Sequence, residues 1–232
     1  MSAHFYLGTI MISNEHKTLF VHIPKAAGQS IELAFLNDLG LSWQQRDALL
    51  LKHNTQPQLG PPRLAHLSAQ EYLQLDYLCT QRFSSFFKFA FVRNPWARLV
   101  SEYEYRRYPF SFNDFLFKHF PTPSDDNYRS GDDLYRHVLP QADLICDQRG
   151  RIMVDFIGRF ERLHEDFSLV AEQVFAKPVP LPYKNKTQTA WSRMWRKKRH
   201  HYSAYYCDAG RKYVATLYER DIDLFKYSFK KK

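Results

Sequence analysis

Two stretches of this chain follow the same plan. TLFVHIPKAAGQSIEL at 18–33 and FKFAFVRNPWARLVSEY at 87–103 each open on a continuous apolar run, pass through a proline-bearing turn and resume with apolar residues at helical spacing. Short runs rich in β-branched and aromatic residues, with no polar alternation, suit strands buried on both faces, as in parallel sheets covered by helices. Repeated strand–turn–helix units therefore point to an α/β fold: a single domain with a mainly parallel central sheet flanked by helices. With 232 residues, 44% of them hydrophobic, one such core fits the chain, and the domain is expected over 1–232 with its core at about 17–229.

The remaining elements follow from local signals. Ile31, Ala34, Phe35 and Leu39 share one face of a helix over 29–40, with Gly40 as its stop. Residues 52–63, KHNTQPQLGPPR, read as a loop, and Ser68 with Glu71 forms the capping-box pattern of a short helix after His66. Pro95 stands where the helix of the second unit starts, and SFNDFLFKHF at 111–120 is a short amphipathic helix before a polar loop at 121–133. DLICDQRGRIMVDFIGRFE at 143–161 reads as a hairpin turning at Asp147 to Gly150, leading into a helix at LHEDFSLVAEQVF. Three prolines keep 177–187 extended, and DAGRKYVATLYERDIDLF at 208–225 reads as one helix.

Charge and cysteines narrow the function classes. The formal net charge of +9 is concentrated in RMWRKKRHH at 193–201 and KKK at 230–232, which suits an acidic partner or a solvated basic face equally. No apolar run approaches the roughly 20 residues of a membrane-spanning helix, and the first residues lack the pattern of an export signal. Cys79, Cys146 and Cys207 are odd in number and far apart, as expected of reduced thiols in a cytoplasmic protein rather than of disulfides or a zinc site.

The turn IPKAAGQS carries the first functional signal. N–H groups at the start of a helix, together with its dipole, favour an anion, and Lys25 adds a positive charge. A nucleotide-kinase loop would read GxxxxGK[ST]; no segment here does, since the lysine precedes the glycine. Arg93 ends the second strand, where ligands of α/β sheets bind, and Ser101 follows eight positions on in the next helix. Its guanidinium suits a phosphate, although it can equally pair with a carboxylate. Two strand-end anion sites would suit a ligand with phosphate-type groups at both ends. A kinase-like nucleotide-binding protein and a non-catalytic binder of acidic polymers are the alternatives, the latter without any RNA-binding signature.

FVHIPKAAGQSIE and FKFAFVRNPWARLVSEY resemble the 5′-phosphosulfate loop and the 3′-phosphate segment of the type 2 sulfotransferases, relatives of the Golgi carbohydrate sulfotransferases. The likeness continues through HVLPQADLICDQRGRIMVDFIGRFERLHEDF, LPYKNKT and ERDIDLFKYSF. It implies a P-loop-like sulfotransferase fold and a donor, 3′-phosphoadenosine 5′-phosphosulfate (PAPS), released as PAP. By the resemblance, Lys25 stands at the bridging oxygen of the donor. Ala26, Ala27, Gly28, Gln29 and Ser30 complete the 5′-phosphate loop, and Arg93 and Ser101 hold the 3′-phosphate. Gln29 stands where the family often has threonine, leaving Ser30 as the hydroxyl. His66 is the expected base, His137 the runner-up, and Lys184, Asn185 and Lys186 the closing loop, with Trp191 or Trp195 available to stack on adenine or sugar. No metal is expected. The implied acceptor is a carbohydrate or glycolipid, with an acidic one allowed; nucleic acid is not an expected partner, and peripheral membrane contact is left open.

Overall fold

The computed structural model describes residues 12–49, 52–182 and 200–231. At its centre lies a four-stranded sheet in the order β1 (Ile12–Ser13), β2 (Thr18–Val21), β3 (Phe87–Val92) and β6 (Phe156–Arg159). A separate small ribbon pairs β4 (Asp126–Asn127) with β5 (Asp132–Asp133). β1 joins β2 antiparallel, while β2–β3 and β3–β6 are parallel, so the sheet is mainly parallel as its apolar runs require.

The helices in chain order are α1 (Gly28–Asp38), α2 (Glu71–Gln74), α3 (Thr80–Ser85), α4 (Pro95–Arg106), α5 (Phe112–Phe117), α6 (Leu134–Val138), α7 (Gln141–Ile145), α8 (Leu163–Phe175), α9 (Asp208–Leu217) and α10 (Glu219–Phe225). Apolar residues of the sheet pack with Ile31, Ala34 and Phe35 of α1 and Phe167, Val170 and Val174 of α8 in the main core. A second core joins Trp96, Leu99 and Val100 of α4 to Phe112 and Phe115 of α5 and to Val214 and Tyr218. Helix α4, which follows β3 directly, carries one side of this second core. No described helix is long and apolar enough to cross a membrane.

Local signals account for several boundaries. Ser68 and Glu71 form the expected reciprocal cap: the Ser68 N–H donates to Glu71 Oε2 at 2.7 Å and the Glu71 N–H to Ser68 Oγ at 3.2 Å. Asn94 caps α4 by accepting from the Ala97 N–H at 3.2 Å. Within the sheet, Phe91 pairs with Gly158, and a Cβ at Gly158 would lie 2.4 Å from the Phe91 ring. That position has no room for a side chain.

Two expected elements differ. Residues 143–161 do not form a hairpin. The turn at Asp147 to Gly150 is present, with Gly150 at φ 81°, but only Cys146 and Ile152 bridge across it; 141–145 is helix α7, and 156–159 joins the main sheet beside β3. The reason is tertiary. Asp221, fully buried, accepts from the N–H groups of Gln141 and Ala142, each at 2.8 Å, and so caps the start of α7. The expected helix over 208–225 is interrupted at the single residue Tyr218, whose hydroxyl donates to the Val138 carbonyl at 2.6 Å.

Candidate active site

Register brings the two turns together. Val21 of β2 lies opposite Ala90 of β3 in parallel, so the chain leaves both strands at one edge of the sheet. Lys25 and Arg93 emerge there side by side: Arg93 Nη1 donates to the Lys25 carbonyl at 3.1 Å. The Arg93 guanidinium lies 4.1 Å from the Phe160 ring centroid. Its backbone is fixed by buried Gln141, which accepts from the Arg93 N–H at 2.8 Å and donates to the Arg93 carbonyl at 2.9 Å.

The turn between β2 and α1 is strained. Lys25 at φ 66° and Ala27 at φ 75° occupy the left-handed region, which costs a non-glycine residue on the order of 1–3 kcal/mol each. No side chain caps the first turn of α1 and no acidic residue sits in it, so the uncapped N–H groups and the dipole face an anion-ready space. Gly28 is buried there, and a Cβ on it would fall 1.8 Å from His22 Nε2. The His22 imidazole thus packs directly under the turn, and only glycine fits above it. Ala26 is buried, Ala27 and Ser30 are half-buried, and Gln29 is exposed.

Helix α4 turns one face toward this edge. Arg98, buried, donates to the Pro24 carbonyl at 3.2 Å and to those of His137 and Leu139 at 2.8 and 2.7 Å. Tyr105 places its ring 3.6 Å from Lys25 Nζ. Ser101 stands between them at helical spacing, half-buried on the same face. Burial lowers the Lys25 pKa to about 8; Glu102 opposes the shift, while Arg93 and Arg106 add to it. A lysine so placed is close to titrating at neutral pH and gains charge stability from an incoming anion.

Beside Lys25 lies a buried polar cluster. His22, His66 and His137 form a row with ring centroids 4.5 and 4.9 Å apart. His137 Nδ1 is 2.8 Å from Glu102 Oε2 and its Nε2 is 3.4 Å from Asp133 Oδ2. His66 Nε2 is 3.5 Å from the same Asp133 oxygen, and its Nδ1 is 3.3 Å from the His22 carbonyl. Arg106 binds Glu102 Oε1 at 2.7 Å and Asp133 Oδ1 at 3.1 Å. Burial, with His22 and His137 nearby, holds the His66 pKa well below the histidine norm. For His137 burial acts the same way, but Asp133 and Glu102 outweigh it and raise its pKa. Burial thus favours the neutral form of His66, and the two carboxylates favour the charged form of His137.

Of the residues singled out in the sequence, Lys25, the loop through Ser30, Arg93, Ser101, His66 and His137 share this one edge of the sheet. Lys184, Asn185, Lys186, Trp191, Trp195 and most of the basic run at 193–201 lie outside the described residues. No metal-ligand cluster is legible in the linear sequence; the fold brings ligand-type atoms of His66, Asp133 and His137 within 4.8 Å of one another. Glu102, Asp133, His22, Tyr105 and Arg106 were missed. The four-residue spacings of Glu102 to Arg106 and Asp133 to His137 are the signal that marks two of these pairs as helical neighbours.

The chain is 27% identical to carbohydrate sulfotransferase 14 of Danio rerio over 94% of its own length and 62% of the relative's. It is 27% identical to carbohydrate sulfotransferase 14 of Homo sapiens, covering 94% of this chain and 60% of the relative. With carbohydrate sulfotransferase 12 of Xenopus laevis the identity is 22%, over 95% and 60%. The chain thus spans about 60% of the length of the curated relatives it matches. No solved structure matches it. The Sulfotransferase family matches residues 8–228, nearly the whole chain, and with Lys25 and Arg93 meeting at neighbouring strand ends, the protein belongs to that family.

Proposed function

We propose that this protein moves the sulfuryl group of PAPS to a hydroxyl of a carbohydrate or glycolipid acceptor and releases PAP. One observation carries the proposal: the uncapped, lysine-bearing turn before α1 and the Arg93 guanidinium stand within hydrogen-bond reach of each other at adjacent strand ends. The names of the relatives support a carbohydrate acceptor.

The donor supplies an activated sulfur. As the acceptor oxygen bonds to it, the bridging S–O bond breaks and negative charge gathers on the departing 5′-phosphate. Lys25 neutralises that charge, and the N–H groups of Gly28 and Gln29 with the Ser30 hydroxyl bind the phosphate oxygens. Arg93 and Ser101 hold the 3′-phosphate, Arg93 through two donors of its fork. The acceptor proton goes to His66, whose low pKa leaves it neutral; a protonated His137 is poorly suited to receive it. Arg63, half exposed beside Asp133, offers a donor to an acidic acceptor.

The test is mass-detected PAP release with a panel of saccharide acceptors. Release is expected in the wild type and reduced on the order of 100–1,000-fold in Lys25→Ala, the loss typical of removing one transition-state charge partner. Equal turnover in both proteins would refute the assignment of Lys25.

A further inference from the structure

We propose that His66, Asp133 and His137 bind a divalent first-row transition metal of the zinc class, which goes beyond the sulfotransferase reading and does not depend on it. The three residues come from two places: His66 closes a short helical turn at 64–66, while Asp133 ends β5 and His137, four residues on, lies in α6. Their ligand atoms all lie within 4.8 Å of one another.

Donor accounting carries the inference. His137 Nδ1 faces Glu102 at 2.8 Å and His66 Nδ1 faces the His22 carbonyl at 3.3 Å. Both partners are acceptors, so both Nδ1 atoms carry a proton and each ring turns its Nε2 toward Asp133 Oδ2; a metal that binds there takes the place of the second proton of His137, which is released to solvent. That carboxylate oxygen is buried and accepts no hydrogen bond among the described residues. Three ligand atoms therefore converge on one buried point, where a metal cation can replace the proton of His137 between them.

The spacing fits a metal ion. A tetrahedral ion with bonds of about 2.1 Å sets its ligand atoms about 3.4 Å apart. Asp133 Oδ2 lies 3.5 Å from His66 Nε2 and 3.4 Å from His137 Nε2. The outer contacts match as well: a carboxylate and a carbonyl hold the two Nδ1 atoms, and Arg106 fixes the other carboxylate oxygen at 3.1 Å. Two imidazoles and one carboxylate select zinc, cobalt or iron over calcium or magnesium and leave one position for water. The cluster sits just below the surface, beneath the half-exposed Arg63 and beside Tyr105, which is 56% exposed. Metal and acceptor proton compete for the same His66 lone pair, so a loaded site lowers sulfuryl transfer.

The experiment is a cobalt(II) chloride titration of chelator-stripped protein, followed by visible absorption and calorimetry. The result expected is one equivalent bound with tetrahedral-type d–d bands, and both are lost in His66→Gln and in Asp133→Asn. Glu102→Gln, which keeps all three ligand residues but alters the contacts to His137 and Arg106, is expected to weaken binding roughly 10–100-fold. Circular dichroism and PAP calorimetry on each variant establish folding. A folded wild type that binds PAP but no cobalt, its lone pairs satisfied by protons only, overturns the metal site and leaves the sulfotransferase reading intact. Cobalt binding that survives both ligand substitutions also overturns it, and cobalt binding without PAP binding counts against the transferase alone.

Discussion

Lys25 combines a left-handed backbone, partial burial and a lowered pKa in one position. The protonated form neutralises the departing phosphate, and kcat/KM reports the free enzyme. kcat/KM for the donor is therefore expected to fall tenfold per unit as pH rises through about 8. The break in kcat should lie higher, because a bound anion favours the charged lysine. A pH–rate profile checks this; a flat kcat/KM from 7 to 10 would contradict it. Gly28 supplies a second test at this scale. A Cβ there meets His22 Nε2 at 1.8 Å, so Gly28→Ala must displace the imidazole or the turn and is expected to abolish PAP binding in calorimetry. Gln29→Ala, at an exposed position whose N–H is kept, should cost at most a few-fold. The sequence exposed the residue types at this turn but not His22 beneath it, because strand direction decides which side chain faces the loop.

At the scale of elements, β2, α1, β3 and α4 were legible because their signals are local: buried apolar runs, Pro95 at a helix start and the Asn94 cap. α7 and the break at Tyr218 were not, since the first depends on Asp221, some eighty residues from the N–H groups it accepts from, and Tyr218 bonds to Val138, equally far along the chain. Removing that carboxylate leaves the buried start of α7 without acceptors. Asp221→Ala is expected to destabilise the fold by about 2–4 kcal/mol, read as a lower urea midpoint at unchanged m. A change under about 0.5 kcal/mol would mean that α7 does not rely on this cap. Arg98 is the comparable case on α4. Arg98→Met leaves three carbonyls without their donor and is expected to cost about 3 kcal/mol or more, measured in the same way.

The molecule as a whole brings together what the chain keeps apart. Lys25, His66, Arg93 with Glu102, and Asp133 with His137 come from four stretches of chain, and the parallel register of β2 and β3 with the path of α4 gathers them at one sheet edge. The sequence marked the two anion turns because each is a continuous motif. It did not mark the histidine–carboxylate cluster, whose members share no spacing beyond two helical pairs. The central claim is that neighbouring strand ends hold one ligand with a phosphate-type group at each end. Calorimetry of PAP and of AMP, which lacks the 3′-phosphate, against wild type and Arg93→Ala tests it most directly. Wild type should bind PAP one to one and AMP more weakly. Arg93→Ala should lose roughly 30–150-fold in affinity for PAP, the worth of a charged hydrogen-bond pair, while its AMP affinity stays nearly unchanged. No heat of PAP binding to folded wild type, or an equal loss for both ligands, would contradict it.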